Sequence, residues 1–509
     1  MLSPLPALPG AAILQEAAHA AARLDLTRHW VGYAAIAVFA AAYLMVMLEE
    51  KLHIRKSKPV MLAAGVLWAL LGLAYVRAGD TSTAAAALRE AIGEYGELFL
   101  FVLVAMTFVN TMEERQVFDA LRAWMVRKGF SLRTVFWLTG GMSFFLSSQL
   151  DNMTTALVMG AVVITAGRGY PKFVALACIN VVVAANAGGA WSPFGDITTL
   201  MVWQAGRGGF FDFYRLFVPA AVAWFVPAFF MALTIPKARP RALDEHVQPR
   251  RGAFGVVGLF ALTIVLAVSS FNLLKLPPVL GMTTGLALLK FYGYYLRRTQ
   301  PTPALARAGV TAAAVAAPQR SAVPAMAGGR DLDEPLSGFE PPAAAPTGGT
   351  PAGAAGHTGS AGASAGFDIY DILRRSEWDT LMFFYGIMLS VGALAQIGHL
   401  ANLSHLMYGG LGATLANTGV GLISAVIDNI PVMYAVLNME PAMPLAQWLL
   451  VTLTAGIGGS IFSIGSAAGV ALMGQARGTY TFFRHLRWSW AIALGYFLAV
   501  WVHLLVNGG

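Results

Sequence analysis

GGAWSPFGDITTLM, residues 188–201, aligns without a gap to GGSIFSIGSAAGVA, residues 458–471, pairing Gly188 with Gly458, Gly189 with Gly459 and Gly195 with Gly465. Each stretch interrupts a long apolar run, 173–203 in the first half of the chain and 445–475 in the second. Upstream of each lies another apolar region, 134–166 and 405–438, with an Asp-Asn pair at its midpoint: SSQLDNMTTALVM at 147–159 and SAVIDNIPVMYAVL at 424–437. An unpaired carboxylate at membrane depth costs on the order of a few kcal/mol, so its recurrence in matching surroundings points to an ion site rather than to packing.

The composition agrees with membrane depth. Of 509 residues 57% are hydrophobic and only 12% charged, and the mean hydropathy is +0.63, whereas soluble domains carry about 25% charged residues. The chain is long enough for about ten spans of about 20 residues with their loops. Its net charge of +8 is spread over loops between apolar runs, which reads as an orientation signal and excludes a nucleic-acid surface. The single cysteine, Cys178, excludes disulfides, cysteine-ligated zinc and iron–sulfur clusters. The first 30 residues lack a basic stretch before an apolar one and read as a short extramembrane arm, not a signal peptide.

Crossings are expected near 31–48, 59–77, 94–111, 216–235, 254–274, 277–296, 378–397 and 487–506, together with the two glycine-broken runs. The regions with the Asp-Asn pairs split into halves of about 15 residues, too short to cross, and read as re-entrant hairpins. Basic residues then fix the orientation. Arg55, Lys56 and Lys58 mark one cytoplasmic loop; Arg115, Arg122, Arg127, Lys128 and Arg133 mark the next. Lys237 and the arginines at 239, 241, 250–251, 297–298, 374–375, 477, 484 and 487 mark the others. Both termini fall outside. The expected fold is therefore an all-α polytopic membrane protein of two inverted-topology repeats, 31–235 and 254–506, each with five crossings (one broken) and one re-entrant hairpin. The second repeat is interrupted by 299–366, a segment rich in Ala, Pro, Gly and Ser with nothing bulky to bury, expected to be a disordered cytoplasmic linker.

Backbone that leaves a helix inside a membrane must be satisfied by protein, water or ions, so the breaks offer free carbonyls opposite the hairpin tips. Hard cations prefer such oxygens, together with carboxylates, amides and hydroxyls. Asp151, Asn152, Thr154, Thr155, Ser192 and Asp196 supply them in the first half, and Asp428, Asn429, Ser460, Ser463 and Ser466 in the second. Asp196 is aligned with Ser466, so acidic charge favours the first half two to one. Asn180 and Asn186 either line the cavity or bond between helices. The plainer role for the aspartates and asparagines is helix capping, and for the hydroxyls a bond to their own backbone. Glu49, Glu50, Glu113 and Glu114 read as solvated, and His503 as a packing residue.

The LDNMTTALVM and IDNIPVMY hairpins and the two glycine breaks resemble, in the same order, those of the NhaD-type sodium/proton antiporters of the ion transporter superfamily. The likeness covers 31–506 apart from the linker, which is longer than that family leads one to expect. It implies exchange of cytoplasmic Na+ or Li+ for external H+ across a bacterial inner membrane, by elevator-like movement of hairpins and broken helices. Carried over, Asp151 and Asn152, Asp196, and Asp428 and Asn429 are site residues, with Asp151, Asp196 and Asp428 as the Na+ or Li+ ligands. The expected partners are membrane lipid, monovalent cations and protons, with a homodimer as the expected assembly and no cofactor. Two rival readings stay open. The same scaffold could carry arsenite, a dicarboxylate or citrate, although neither hairpin region contains Lys or Arg to meet an anion. An intramembrane aspartyl protease would need two carboxylates sharing a proton at about 3 Å.

Overall fold

The computed structural model describes residues 24–236, 238–239, 247–299 and 377–508. Most of the expected N-terminal arm and the whole of the expected linker beyond residue 299 lie outside these. Among the described residues all regular structure is helical, and eight helices are long and apolar enough to cross a membrane. The chain is a multi-pass membrane protein.

In the first half, α1 (Trp30–Met47), α2 (Ser57–Arg77) and α3 (Thr83–Glu114) are long apolar helices. Helix α3 begins eleven residues before the expected crossing at 94, because TAAAALREAIG is composed almost wholly of good helix formers and simply extends the apolar run. After α4 (Val117–Arg127), the hairpin is α5 (Leu132–Leu146) and α6 (Asn152–Ala166). The broken run is α7 (Pro171–Gly189), a non-helical turn, and α8 (Ile197–Gln204), followed by α9 (Phe217–Leu233). The second half runs α10 (Ala253–Asn272), α11 (Val279–Thr299), α12 (Trp378–Ile397), the hairpin arms α13 (Ala413–Ser424) and α14 (Asn429–Met439), the broken run α15 (Leu445–Gly458) and α16 (Ala467–Gln475), then α17 (Phe482–Leu486) and α18 (Ser489–Asn507). The second hairpin is shorter than its apolar region, since 405–411 forms a π-helical turn outside it.

Three close approaches built by glycine recur in the two halves. A Cβ on Gly188 would strike the Phe144 carbonyl oxygen, and one on Gly458 that of Gly421; Gly195 abuts the Ser147 carbonyl and Gly465 that of Ser424. Gly189 and Gly459 lie against the carbonyls of Gly195 and Gly465. The aligned glycines are therefore where each break seats against the turn of its own hairpin, with no room for a side chain. Contacts between the halves are crossed: α6 packs on α16, α14 packs on α8, and α7 packs on α15. Outside this group α12 lies along α2 and α3, held by Trp68 Nε1 donating to the Leu389 carbonyl (2.9 Å) and Tyr95 Oη donating to that of Leu381 (3.0 Å).

Candidate functional site

Asp151, Asp196 and Asp428 each stand at the N-cap of a short helix: α6, α8 and α14. There the chain turns from extended to helical, and a carboxylate can answer unpaired amides and the positive end of the helix dipole. Asp151 Oδ1 accepts from the Thr154 amide at 2.8 Å. Asp196 Oδ1 accepts from the Thr198 amide at 3.4 Å, and Thr199 Oγ1 accepts from the Asp196 amide at 3.3 Å, which closes a capping box. The capping role thus holds for two of the three aspartates. Asp428 makes no capping bond.

All three carboxylates, with Asn152 and Asn429, line one cavity of about 90 Å³. None of its described lining residues is Lys, Arg or His. Asp196 is only 6% exposed, and its Oδ2 accepts from Asn429 Nδ2 of the other half at 2.7 Å. Glu377 and Thr380, at the start of α12, complete the wall, with Thr380 Oγ1 donating to Glu377 Oε2 at 3.0 Å. Burial raises the Glu377 carboxyl above its ordinary range, and the nearby Asp151 and Asp379 carboxylates add to this against the Thr380 bond and Lys56. The Lys56 ammonium itself rests over the Phe383 ring, 4.8 Å from its centre. Among the described residues no three His, Cys, Asp or Glu side chains lie close enough to hold a metal ion together. The aspartates therefore share a cavity without forming a single coordination shell, and a bound cation would draw on amides and hydroxyls as well.

A second polar cluster lies at the other break. Asn186 Nδ2 donates to Ser460 Oγ (2.8 Å), while Asn186 Oδ1 accepts from Asn152 Nδ2 (3.1 Å) and Ser466 Oγ (3.0 Å). Asn186 thus bonds between helices. Asn180 does the same elsewhere, donating to the Phe136 carbonyl (2.8 Å) and accepting from Trp224 Nε1 (2.9 Å), which ties α5, α7 and α9 together. Neither asparagine lines the cavity.

The remaining expected ligands divide. Thr154 uses its backbone amide. Thr155 is fully buried and its hydroxyl has no hydrogen-bond partner among the described residues. Ser192 Oγ accepts from the Phe194 amide at 3.3 Å. Ser463, in left-handed backbone at φ 66, lies 2.7 Å from Tyr480 Oη, which lies 2.9 Å from His485 Nδ1. His485 Nε2 sits 2.7 Å from the Ser460 carbonyl. That carbonyl can only accept, so Nε2 carries the proton and Nδ1 accepts from Tyr480, whose oxygen accepts in turn from Ser463. One histidine and one tyrosine clasp both ends of the turn 460–463. Burial depresses the His485 pKa to about 4, against its bonds to the backbone at Ser460 and Ile461. His503, called a packing residue, bonds to the Ala446 carbonyl at 2.9 Å.

Sequence reading missed Thr198, Thr199, Ser147 and the Tyr480–His485 clasp. Thr198 and Ser147 are fully buried, and the Ser147 hydroxyl has no hydrogen-bond partner among the described residues, so they add oxygens near a break and a hairpin turn. The D-x-x-T spacing of a capping box inside an apolar run was the available signal for Thr199.

On the far side of α8 and α14 is a second cavity, of about 530 Å³, lined by Glu90, Glu94, Glu97, Glu440, Arg207 and Tyr434 among others. Tyr434 Oη donates to Glu94 Oε2 at 3.0 Å.

A family model described as "Citrate transporter" matches residues 26–456. The chain is 50% identical over 490 residues to the Na(+)/H(+) antiporter NhaD of Halomonas elongata, covering 96% of this chain and 91% of the relative. It is 49% identical to the NhaD of Vibrio cholerae, covering 95% and 94%. Similarity to sodium/proton antiporter 1 of Arabidopsis thaliana is 28% over 490 residues, covering 92% and 72%.

Proposed function

The chain belongs to the citrate-transporter family and, within it, to the NhaD antiporters, and on that premise we propose that it exchanges Na+ (or Li+) for H+ by alternating access. It is a secondary transporter and not an enzyme. In this reading it has two inverted repeats, supported by the recurring glycine contacts, and sits in a bacterial inner membrane with the aspartate-lined cavity facing the cytoplasm. Proton and cation compete for the cavity carboxylates, since either can neutralise a negative charge that is costly to leave unpaired at membrane depth. Asp196 is the principal ligand, Asp151 and Asp428 line the same cavity as further cation or proton positions, and Asn152 and Asn429 supply neutral oxygens. No cofactor is required beyond the transported ions. A homodimer is the proposed assembly, checked by light scattering of the purified protein.

The observation that carries this reading is the cavity itself. Three aspartates and one glutamate surround about 90 Å³ with no cationic lining residue, well below the roughly 300–1,000 Å³ of ordinary small-molecule pockets. A tricarboxylate would meet four carboxylates and no cation in the described lining, whereas a partly dehydrated monovalent cation fits. The test is purified protein in vesicles with an imposed pH gradient and a pH-sensing dye. Addition of Na+ or Li+ should collapse the gradient; collapse by citrate or arsenite, with no response to Na+ or Li+, would replace this reading.

A further inference from the structure

In the gapless alignment of the two breaks, Asn186 corresponds to Gly456, Ala190 to Ser460 and Asp196 to Ser466. The contacts follow the same correspondence with the halves exchanged. A Cβ on Gly456 would lie 3.3 Å from the Ala190 Cβ and 3.9 Å from Asp196 Oδ2. Asn186, in the matching place, bonds to Ser460 and Ser466. The hairpin asparagines complete the comparison: Asn429 donates to Asp196 Oδ2, and Asn152 donates to Asn186 Oδ1.

The first-half position therefore has a charged acceptor and a bare glycine beside it. The second-half position has a serine in place of the aspartate, and the acceptor its neighbours need is delivered from across the interface by the amide oxygen of Asn186. That oxygen receives both Asn152 and Ser466, as Asp196 receives Asn429, but carries no charge. Asn186 is 1% exposed, so a neutral amide oxygen stands, away from solvent, where the first half has a carboxylate. We propose that Asn186 is a built-in neutral stand-in for the carboxylate acceptor of the second of two symmetry-related cation positions, and with Gly456 is the residue that sets the protein to bind one Na+ rather than two.

This rests on the antiport reading, and the experiment separates the two. Na+ binding to purified protein in detergent is measured by titration calorimetry with NaCl at pH 8.5, and the Na+ dependence of gradient collapse is measured in vesicles. Wild type is expected to bind one Na+ and to show a Hill coefficient near 1. Asn186→Asp restores a carboxylate beside Ser460, Ser466 and Asn152, and is expected to bind two. Gly456→Asn places an amide against Asp196, and is expected to lose Na+ binding by at least a hundredfold while eluting as the same species as wild type. Two Na+ bound to wild type, or one bound to folded Asn186→Asp, overturns the inference whatever the transport result. Should Asn186→Asp fail to fold, the wild-type stoichiometry and Gly456→Asn decide: full Na+ affinity in the latter refutes it. Absence of any Na+ response in wild-type vesicles would instead remove the antiport reading.

Discussion

Replacing Asp196 by Asn removes one charge and turns one of two accepting oxygens into an NH2 donor. The amide oxygen can still accept from the Thr198 amide or from Asn429, but not from both as Oδ1 and Oδ2 do; the crossing to α14 is kept when Asn429 turns its own amide so that its oxygen accepts from the new NH2. What is lost is attraction for a cation. Two unit charges about 4 Å apart at an effective dielectric of about 20 attract by about 4 kcal/mol, and each 1.4 kcal/mol is about tenfold in affinity. The half-maximal Na+ concentration for gradient collapse should therefore rise by up to roughly a thousandfold, which in practice is loss of exchange. Ser466→Ala, at the aligned position, removes one neutral hydrogen bond to Asn186, a loss of about 1 kcal/mol and roughly fivefold. Both variants are assayed in the same vesicles at one pH, with protein amount matched by gel filtration. A shift below tenfold for Asp196→Asn, or equal shifts for the two variants, would refute the assignment of the principal site to the first half.

Asp151→Asn and Asp428→Asn should each abolish exchange while leaving the protein folded in the membrane; full antiport in either variant removes that residue from the mechanism. Gly465→Ala would place a methyl 2.7 Å from the Ala425 carbonyl group, a backbone that cannot yield, at a cost of about 1–3 kcal/mol, whereas Gly474→Ala meets nothing within 4 Å; melting temperatures should fall for the first only. His485 titrates near 6.5 in the unfolded chain and at about 4 in the protein, so between those values the unfolded state binds the extra proton and stability falls as pH falls, by up to about 3 kcal/mol below pH 4. His485→Asn, which lacks the titration, should show a flatter melting profile between pH 7 and pH 4.5; an unchanged slope would show that His485 is not held neutral.

The breaks and hairpins were legible because their signals are local: glycine where two backbones touch, and Asp-Asn where an apolar run must turn. The rest of the site was not, because it is made by pairs far apart in the chain. Nothing near Asn186 in sequence announces Ser460 and Ser466, 274 and 280 residues away. Ser463 was expected as a ligand from its place in the break, yet its hydroxyl is held by Tyr480, and His485 looked like a loop residue beside Arg484 and Arg487. Asn180 carries the same amide as Asn186, and only its neighbours, Trp224 and the Phe136 carbonyl, show it to be a structural lock. The early start of α3 escaped notice because the crossing is counted from 94, where the most apolar stretch begins, whereas the helix starts at Thr83 and Glu90, Glu94 and Glu97 on it face a cavity.

That second cavity bears on how the proposed exchange would run. Along α3, Leu98 lines the outer cavity and Phe101 the aspartate cavity, a step of about 4.5 Å at 1.5 Å per residue. Along α14 the step is from Tyr434 to Ile430, and along α8 from Met201 to Leu200. The wall between the cavities is therefore one residue thick along α8 and about one helical turn thick along α3 and α14. A displacement of that size by α6, α8, α14 and α16 against α3 and α12 would carry the carboxylates from one cavity to the other. Those four helices would have to move together: Asn429–Asp196, Asn152–Asn186, Asn186–Ser460 and Ser466–Asn186 cross between the halves, and each broken bond would strand a buried polar group at about 1–3 kcal/mol. The contact with α3 is different in kind. Its hydrogen bond, Tyr434 to Glu94, opens onto the larger cavity, where water can take over either partner. The cheaper place for the proposed exchange to slip is thus between α14 and α3.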